Sequence, residues 1–416
     1  MKILFENLNP KQTVLKNTFW LYFSNFFSKI FKLLIIITSA KYLGPQGYGH
    51  FSYVLAIVGS FFIFADWGSG YLTVRDYQKE ENKKELIENF ITFRLIILAL
   101  TSLLIFLGFL IFKDYQSRLM FLIIFIFSLI SQVKYMLHTI FQALKRMEYE
   151  GISTLIESFL ILILVIFFLR EINKPIFLSV AYLIGITISF FYALLIFKKI
   201  INLENFKFQL NRAKYFLING TPIMFFGVLG FIFFTTDQII LGYLKGYQEV
   251  GYYTLVTKLI LNLHLIIGFF LAALFPHLSE MREDVGKIKR IINKVVVYNF
   301  LIYFSICLLS LILIEPIFTL FFSNGHYEPS INLFKFLIWI ILLISFISIL
   351  DHLLFIYNKQ WQNFFITAFC ASLNLLLNFL LIPYYGMYGA AITTYIAQLL
   401  NLLLSYYLVR KYIFKL

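Results

Sequence analysis

Charge is what this chain has least of. Asp, Glu, Lys and Arg together make up 13% of its 416 residues, against about a quarter in soluble globular domains. That is too little polar side chain to cover a water-facing surface, which excludes a soluble enzyme, a coiled coil and a disordered chain. Cysteine is nearly absent as well. Cys307 and Cys370 both lie in apolar runs, so there is no disulfide framework and the two read as packing residues. The six histidines are scattered. There is no His/Cys metal spacing, no phosphate-binding glycine loop and no paired external carboxylates of the Asp-x-Asp kind, so no enzyme constellation is present. What the chain does have is 61% hydrophobic residues, 51 of them Phe, and a mean hydropathy of +0.84. These describe an all-α polytopic membrane protein.

A crossing helix needs ~20 mostly apolar residues. The sequence supplies twelve such runs: 17–40, 51–74, 90–112, 119–140, 152–169, 176–197, 221–244, 252–275, 295–318, 331–355, 362–382 and 389–409. The first run is too long for a signal peptide, and no small-residue cleavage site follows it. Lys and Arg number 23 on one set of alternate connections and 6 on the other. By the positive-inside rule both termini are cytoplasmic. This bias also accounts for most of the +14 net charge without a nucleic-acid partner. The external connections are short, leaving no room for the sizeable external loop of a membrane glycosyltransferase or polysaccharide polymerase.

A weak internal repeat divides the chain. Gln46-Gly47-Tyr48-Gly49-His50-Phe51-Ser52 echoes Gln248-Glu249-Val250-Gly251-Tyr252-Tyr253-Thr254, 202 residues later. A second echo, His138-x-x-Phe141-x-x-x-Lys145 with His352-x-x-Phe355-x-x-x-Lys359, has an offset of 214. Two lobes of six helices follow, 1–207 and 208–416, inserted with the same topology around a central cavity. In such parallel repeats the substrate site lies at the repeat interface. The basic stretch 198–220 is expected to be an interfacial helix linking the lobes.

Ionisable groups inside spans are costly, so each is a functional candidate. Arg94 and Lys335 lie close enough to helix ends to snorkel. Lys134 and Lys258 are deeper, and Glu157 is shallow. Lys29 sits near the middle of the first span. Asn25, Lys29 and Lys32 at i, i+4 and i+7 share one helix face. That face reads as a cationic cavity wall suited to a phosphate-bearing substrate, with Lys258 as a further member. The alternative is a structural pair between the lysines and Asp66 or Asp237. Those two acids are also the candidates for binding a coupling H+ or Na+; no other cofactor is expected. Asp351 is a further acid within a span.

The motifs resemble the bacterial polysaccharide-repeat flippases of the O-antigen and capsule type. Tyr42-Leu43-Gly44-Pro45-Gln46-Gly47-Tyr48-Gly49, followed by Phe64-Ala65-Asp66-Trp67-Gly68 and Arg75, is similar to the start of that family. Asp237-Gln238-Ile239-Ile240-Leu241-Gly242, Phe275-Pro276-His277-Leu278-Ser279-Glu280, and Asn378-x-x-x-Ile382-Pro383-x-x-Gly386-x-x-Gly389-Ala390-Ala391 extend the likeness over nearly the whole chain. The resemblance implies the fold of the multidrug/oligosaccharidyl-lipid/polysaccharide exporter superfamily. It also implies an inner-membrane flippase that moves an undecaprenyl-diphosphate-linked oligosaccharide outward by alternating access. Its partners would be that lipid-linked oligosaccharide, membrane lipids, and a polymerase or other polysaccharide assembly proteins. Twelve spans argue against the peptidoglycan-precursor branch, which typically has two more. A multidrug or cation antiporter of the same fold would prefer an acidic or aromatic cavity. A non-transporting scaffold would not need charge at mid-membrane.

Overall fold

Several helices begin where the sequence supplies a cap. Asn82, Asp114 and Asp284 each accept a hydrogen bond from the backbone N–H three residues on, at 3.2, 2.7 and 2.9 Å, satisfying a donor that the helix leaves open. The computed structural model describes residues 9–109, 112, 114–201, 208–322 and 325–414. Within that range the side chains of residues 10, 265–277, 279 and 280 are not described. Twelve α-helices lie among the described residues: α1 Pro10–Phe62, α2 Ser69–Asp76, α3 Lys83–Gly108, α4 Tyr115–Ala143, α5 Met147–Glu171, α6 Pro175–Ile200, α7 Leu210–Lys245, α8 Tyr247–Glu280, α9 Val285–Phe321, α10 Glu328–Leu337, α11 Ile340–Ile356 and α12 Gln360–Val409. Residues 202–207, inside the expected linker, fall outside the described residues, as do the side chains of the Phe275–His277 and Ser279-Glu280 motif positions.

Eight described helical stretches are long and apolar enough to cross a membrane, and α10 with α11 makes a ninth, bent by 40°. Two of the eight, Lys11–Ala65 and Gln360–Phe414, are 55 residues long, more than double the ~20 that one crossing needs. Each is broken internally, at Gly44 (φ 63°, ψ 178°) ahead of Pro45 and at Gly386 (φ 55°, ψ −132°) beyond Pro383. Each break falls between two expected spans. The chain is a multi-pass, all-helical membrane protein. Two expected spans are interrupted. Span 51–74 stops being α-helical at Phe62, passes through a short 3-10 turn and left-handed Trp67 and Gly68, and restarts as α2. Span 331–355 is divided between α10 and α11.

The 202-residue repeat reappears in the backbone. Gly44 and Gly246, 202 apart, both have positive φ (63° and 91°) and both separate the first and second spans of a half. Five residues beyond each lies a glycine without room for a side chain. A Cβ on Gly49 would stand 1.7 Å from the Tyr247 carbonyl oxygen, and one on Gly251 would stand 1.9 Å from the Pro45 carbonyl oxygen. The two helix starts therefore cross backbone on backbone. The second echo is displaced by one residue. The left-handed residues that end α4 and α11 are Lys145 and Asn358, closed by Arg146 N to Phe141 O at 2.8 Å and Lys359 N to Leu354 O at 2.7 Å. The structural offset there is 213 rather than 214.

The chain packs as two compact units, one of residues 1–43 and 50–231, the other of 44–49 and 232–416. The packing boundary thus falls inside α7, not at the repeat boundary of 207/208. Residues 210–220 also do not form a separate interfacial helix; they are the start of the 36-residue α7. The reason is that this end of α7 is bonded into the first unit. Phe216 is fully buried, its ring 5.2 Å from that of Phe93. Arg212 pairs with Glu80 at 2.7 Å, and Tyr215 donates to Asp76, which Arg75 also holds. Burial alone would raise the Asp76 pKa, but these hydrogen bonds outweigh it and hold the carboxyl below its usual value. Gly220 abuts the Trp67 carbonyl so closely that a Cβ would stand 2.0 Å from it.

Candidate functional site

In the first unit α1 presents two faces. Ser24, Ser28 and Ile35 are buried on one, at 3%, 2% and 2% exposure. Asn25 and Lys32 are exposed on the other, with Lys29 half-buried between them. Lys29 is about 28 Å along the helix from Pro10 and about 22 Å from Gly44 at 1.5 Å per residue. The structure thus places Asn25, Lys29 and Lys32 on one stripe of α1, exposed at Asn25 and Lys32 and half-buried at Lys29. Asn25 spends its amide on the Leu21 carbonyl at 2.8 Å. Lys29 and Lys32 feel each other's charge, and Lys32 also feels that of Lys134.

Behind the stripe the unit carries a polar interior. Lys134 on α4 is buried and ion-paired with Glu157 on α5. It also donates to Ser189 on α6 at 3.3 Å. His138 and Ser153 are hydrogen-bonded at 3.0 Å, and Ser153 and Ser189 at 2.9 Å. Glu157, expected to be shallow, is therefore part of a three-helix cross-link.

Asp66 has a structural post. Its carboxylate pairs with Arg94 at 2.6 Å and accepts from Gly70 N at 3.2 Å, capping α2. Arg94 also donates to the Ala65 carbonyl at 2.8 Å, an acceptor freed where the helix breaks. Arg94 is 3% exposed, so it does not snorkel as expected: its head is turned inward to stitch the break. Removing one member of a buried ion pair costs about 3–5 kcal/mol. Arg94→Ala should accordingly lower the unfolding temperature and yield of the purified protein, and a second change, Asp66→Asn, should restore much of the loss. Equal losses in the single and double variants would show that the pair is not what Arg94 contributes.

The second unit holds the other candidates. Lys258 lies on α8, its side chain exposed and its carbonyl accepting from Asn262 at 2.8 Å. Asp237 on α7 is 2% exposed. Its Oδ2 accepts from Tyr253 of α8 at 2.6 Å and Thr394 of α12 at 3.1 Å, and its Oδ1 accepts from Asn378 of α12 at 2.6 Å. Asn378 is itself set by Thr393 and by Asn374, at 3.2 Å from the latter. Among the described residues the partners of this carboxylate are all neutral. A cavity of about 40 Å³ lined by Asp237, Tyr253, Thr257 and Thr394 adjoins it, room for a water or a small cation. The sequence pointed to Asp237 by depth and to Asn378 by motif, but nothing in it joins two residues 141 positions apart. Tyr253 was marked only as part of the Gln248–Thr254 repeat echo, and Thr394 carried no signal beyond ordinary span composition.

Residues 14–282, well over half of the chain, match the family described as polysaccharide biosynthesis protein. The chain is 25% identical to the capsular polysaccharide biosynthesis protein CapF of Staphylococcus aureus over 407 residues, 96% of this chain and all of that one. In fold it is similar to the lipid II flippase MurJ in an inward closed conformation, with a TM-score of 0.75 and 19% identity over 94% of this chain and 87% of that one. It is also similar to an inward-facing multidrug resistance MATE transporter, with a TM-score of 0.72 and 12% identity over 92% and 95%. The MurJ likeness is one of fold alone. Because that family model covers well over half of the chain, the chain belongs to the polysaccharide biosynthesis protein family.

Proposed function

We propose that the chain is a flippase carrying undecaprenyl-diphosphate-linked oligosaccharide repeats from the cytoplasmic to the external leaflet of the bacterial inner membrane by alternating access. The observation that carries this reading is the stripe of Asn25, Lys29 and Lys32 on α1. The helix buries Ser24 and Ser28 and leaves Lys32 exposed with Lys29 half-buried beside it, which puts two cationic side chains on one face at membrane depth. A diphosphate crossing a low-dielectric interior needs such compensating charge. Exposed Phe19, Phe23 and Phe26 on the adjoining side of α1 suit the apolar chain attached to that diphosphate. Asn25 completes the proposed substrate surface on α1, and Lys258 is a proposed substrate contact of the second unit. Asp237 is the proposed site of a coupling H+ or Na+, because it is a fully enclosed carboxylate next to a small cavity. Asp66 is less suited to that role, since Arg94 and the α2 cap already occupy it.

Depleting the protein in cells that assemble surface polysaccharide should leave lipid-linked repeat units on the cytoplasmic leaflet. An undiminished external pool after depletion would refute the reading. The orientation, with both termini cytoplasmic, is tested separately. Single cysteines at 45–50 and 171–174 should react with an impermeant thiol reagent in intact cells, and those at 79–85 and 283–289 only after permeabilisation. The reverse pattern would invert the direction of transport. A polymerase and other assembly proteins are the partners this function would require.

A further inference from the structure

One end of the second unit takes no part in the Asp237 site. There the last described turn, Arg410–Phe414, is anchored by Ile413, which is buried. The turn sets the Lys411 ammonium between two rings, 5.3 Å from the centroid of Tyr412 and 5.8 Å from that of Tyr407. Lys359, which opens α12, has its ammonium 4.6 Å from the same Tyr412 centroid. The two ammonium groups are thus at most 9.9 Å apart, the sum of their distances to that shared point. Lys289, in the first turns of α9, lies 5.8 Å over Phe414, two residues beyond Tyr412.

Among the described residues no carboxylate is ion-paired with Lys289, Lys359 or Lys411, and the nearby Asp284 pairs with Lys287 at 3.0 Å. Rings attract cations but do not cancel their charge. Like charges within one Debye length, ~10 Å at 0.1 M salt, repel. Lys359 is also at the unfavourable end of a helix. It stands at the N-terminus of α12, where no side chain caps the open N–H groups, and a cation there opposes the helix dipole. An anion seated between Lys359 and Lys411 relieves the repulsion and meets the open N–H groups at once.

Position selects the anion. Lys359 directly precedes the apolar run 362–382 and Lys411 directly follows 389–409, so the cluster lies where a bilayer puts its headgroups. Trp361, Tyr406 and Tyr407 beside it are exposed, as rings at a membrane–water boundary are. One helical turn deeper, exposed Phe365 and Leu403 offer an apolar flank for an acyl chain. A choline headgroup would bring its own cation into the cluster, whereas an anionic headgroup adds none.

We infer that the cluster of Lys359, Tyr412 and Lys411 binds the phosphate of an anionic phospholipid headgroup, with Lys289 as a flanking charge. This site is separate from the α1 stripe and from Asp237, and it does not rest on the transport reading.

The test is thermal unfolding of the purified full-length protein in maltoside micelles doped with increasing dioleoyl phosphatidylglycerol, with dioleoyl phosphatidylcholine as the control. The midpoint should rise saturably with phosphatidylglycerol and not with phosphatidylcholine. Lys359→Gln/Lys411→Gln should raise the half-saturating phosphatidylglycerol fraction roughly thirtyfold, at ~1 kcal/mol for each lysine lost near a lipid surface. Lys198→Gln/Lys199→Gln removes the same charge from the exposed end of α6 and should leave the half-saturation unchanged. Tyr412→Leu keeps both charges, removes the ring that gathers them, and should also weaken binding. A native midpoint indifferent to phosphatidylglycerol would overturn the site. Equal losses in the two double variants would overturn it in favour of overall charge. A rise of the same size with sodium phosphate in lipid-free micelles would overturn it in favour of a free anion. If Lys359→Gln/Lys411→Gln does not fold, an unchanged half-saturation in Tyr412→Leu would overturn it.

Discussion

Lys29→Ala protein should reach the membrane in near-normal amount and flip poorly. Lys29 is half-buried on the face it shares with exposed Asn25 and Lys32, and the helix ends are about 28 and 22 Å away along α1 at 1.5 Å per residue, beyond the reach of a lysine side chain. Its ammonium therefore works at depth. A hydrogen bond to a charged group is worth about 1.5–3 kcal/mol, and ~1.4 kcal/mol is tenfold, so Lys29→Ala and Lys29→Gln should lose roughly ten- to a hundredfold in flipping rate. Lys29→Arg should keep a substantial part, since charge is retained although the planar fork differs from a compact ammonium. Lys32→Ala should be milder, because Lys32 is the more exposed of the two and lies nearer the Gly44 break. Neutralising Asp66 should not rescue Lys29→Ala, because Arg94 holds Asp66. Surface-polysaccharide export in each variant, normalised to protein abundance, decides the matter. Full export by an abundant Lys29→Ala protein would remove the stripe from the substrate path.

The second large effect should come from Asp237→Asn. Three neutral donors converge on the native carboxylate, from Tyr253, Thr394 and Asn378. An amide can keep its oxygen toward Tyr253 and Thr394, but its nitrogen must then face the Asn378 nitrogen. The conflict costs about 1–3 kcal/mol, enough to lower stability but not to prevent folding of a unit this size. Transport into vesicles should then proceed without response to an imposed proton or sodium gradient, whereas the native protein should respond. Thr394→Val removes one donor and no charge, so it should weaken the response and not abolish it. Gradient dependence unchanged in Asp237→Asn would exclude the coupling role. Lost abundance with an intact response per molecule would assign the carboxylate to structure alone.

Much of the fold could be read in the sequence because a bilayer reduces the problem to apolar length and basic bias. The runs, the Gly44-Pro45 break and the 202-residue repeat all follow from local composition. What could not be read is where polar side chains find each other across helices. Arg94 looked like a snorkelling cation because its distance from a helix end is visible and its partner is not. Asp66 sits 28 residues away, at a break that depends on two consecutive left-handed residues, one of them Trp67. Periodicity does not announce a tryptophan with positive φ. Residues 210–220 looked interfacial because they are basic and follow a loop. They belong to a long helix because Phe216 and Gly220 fit the first unit, and that fit is a property of shape. For Asp237 the acid was visible and the convergence of its three donors was not, since two of them, Asn378 and Thr394, lie 141 and 157 residues away.

The crossing at Gly49 and Gly251 has a further consequence. Each glycine meets the carbonyl four residues before the other, Tyr247 for Gly49 and Pro45 for Gly251. Residue i touches j and the counterpart of i touches the counterpart of j, which is the rule of an isologous contact between identical subunits, here written within a single polypeptide. Such a surface is self-complementary. The two glycines are under one shared steric demand, so a side chain at either position disables the contact for both.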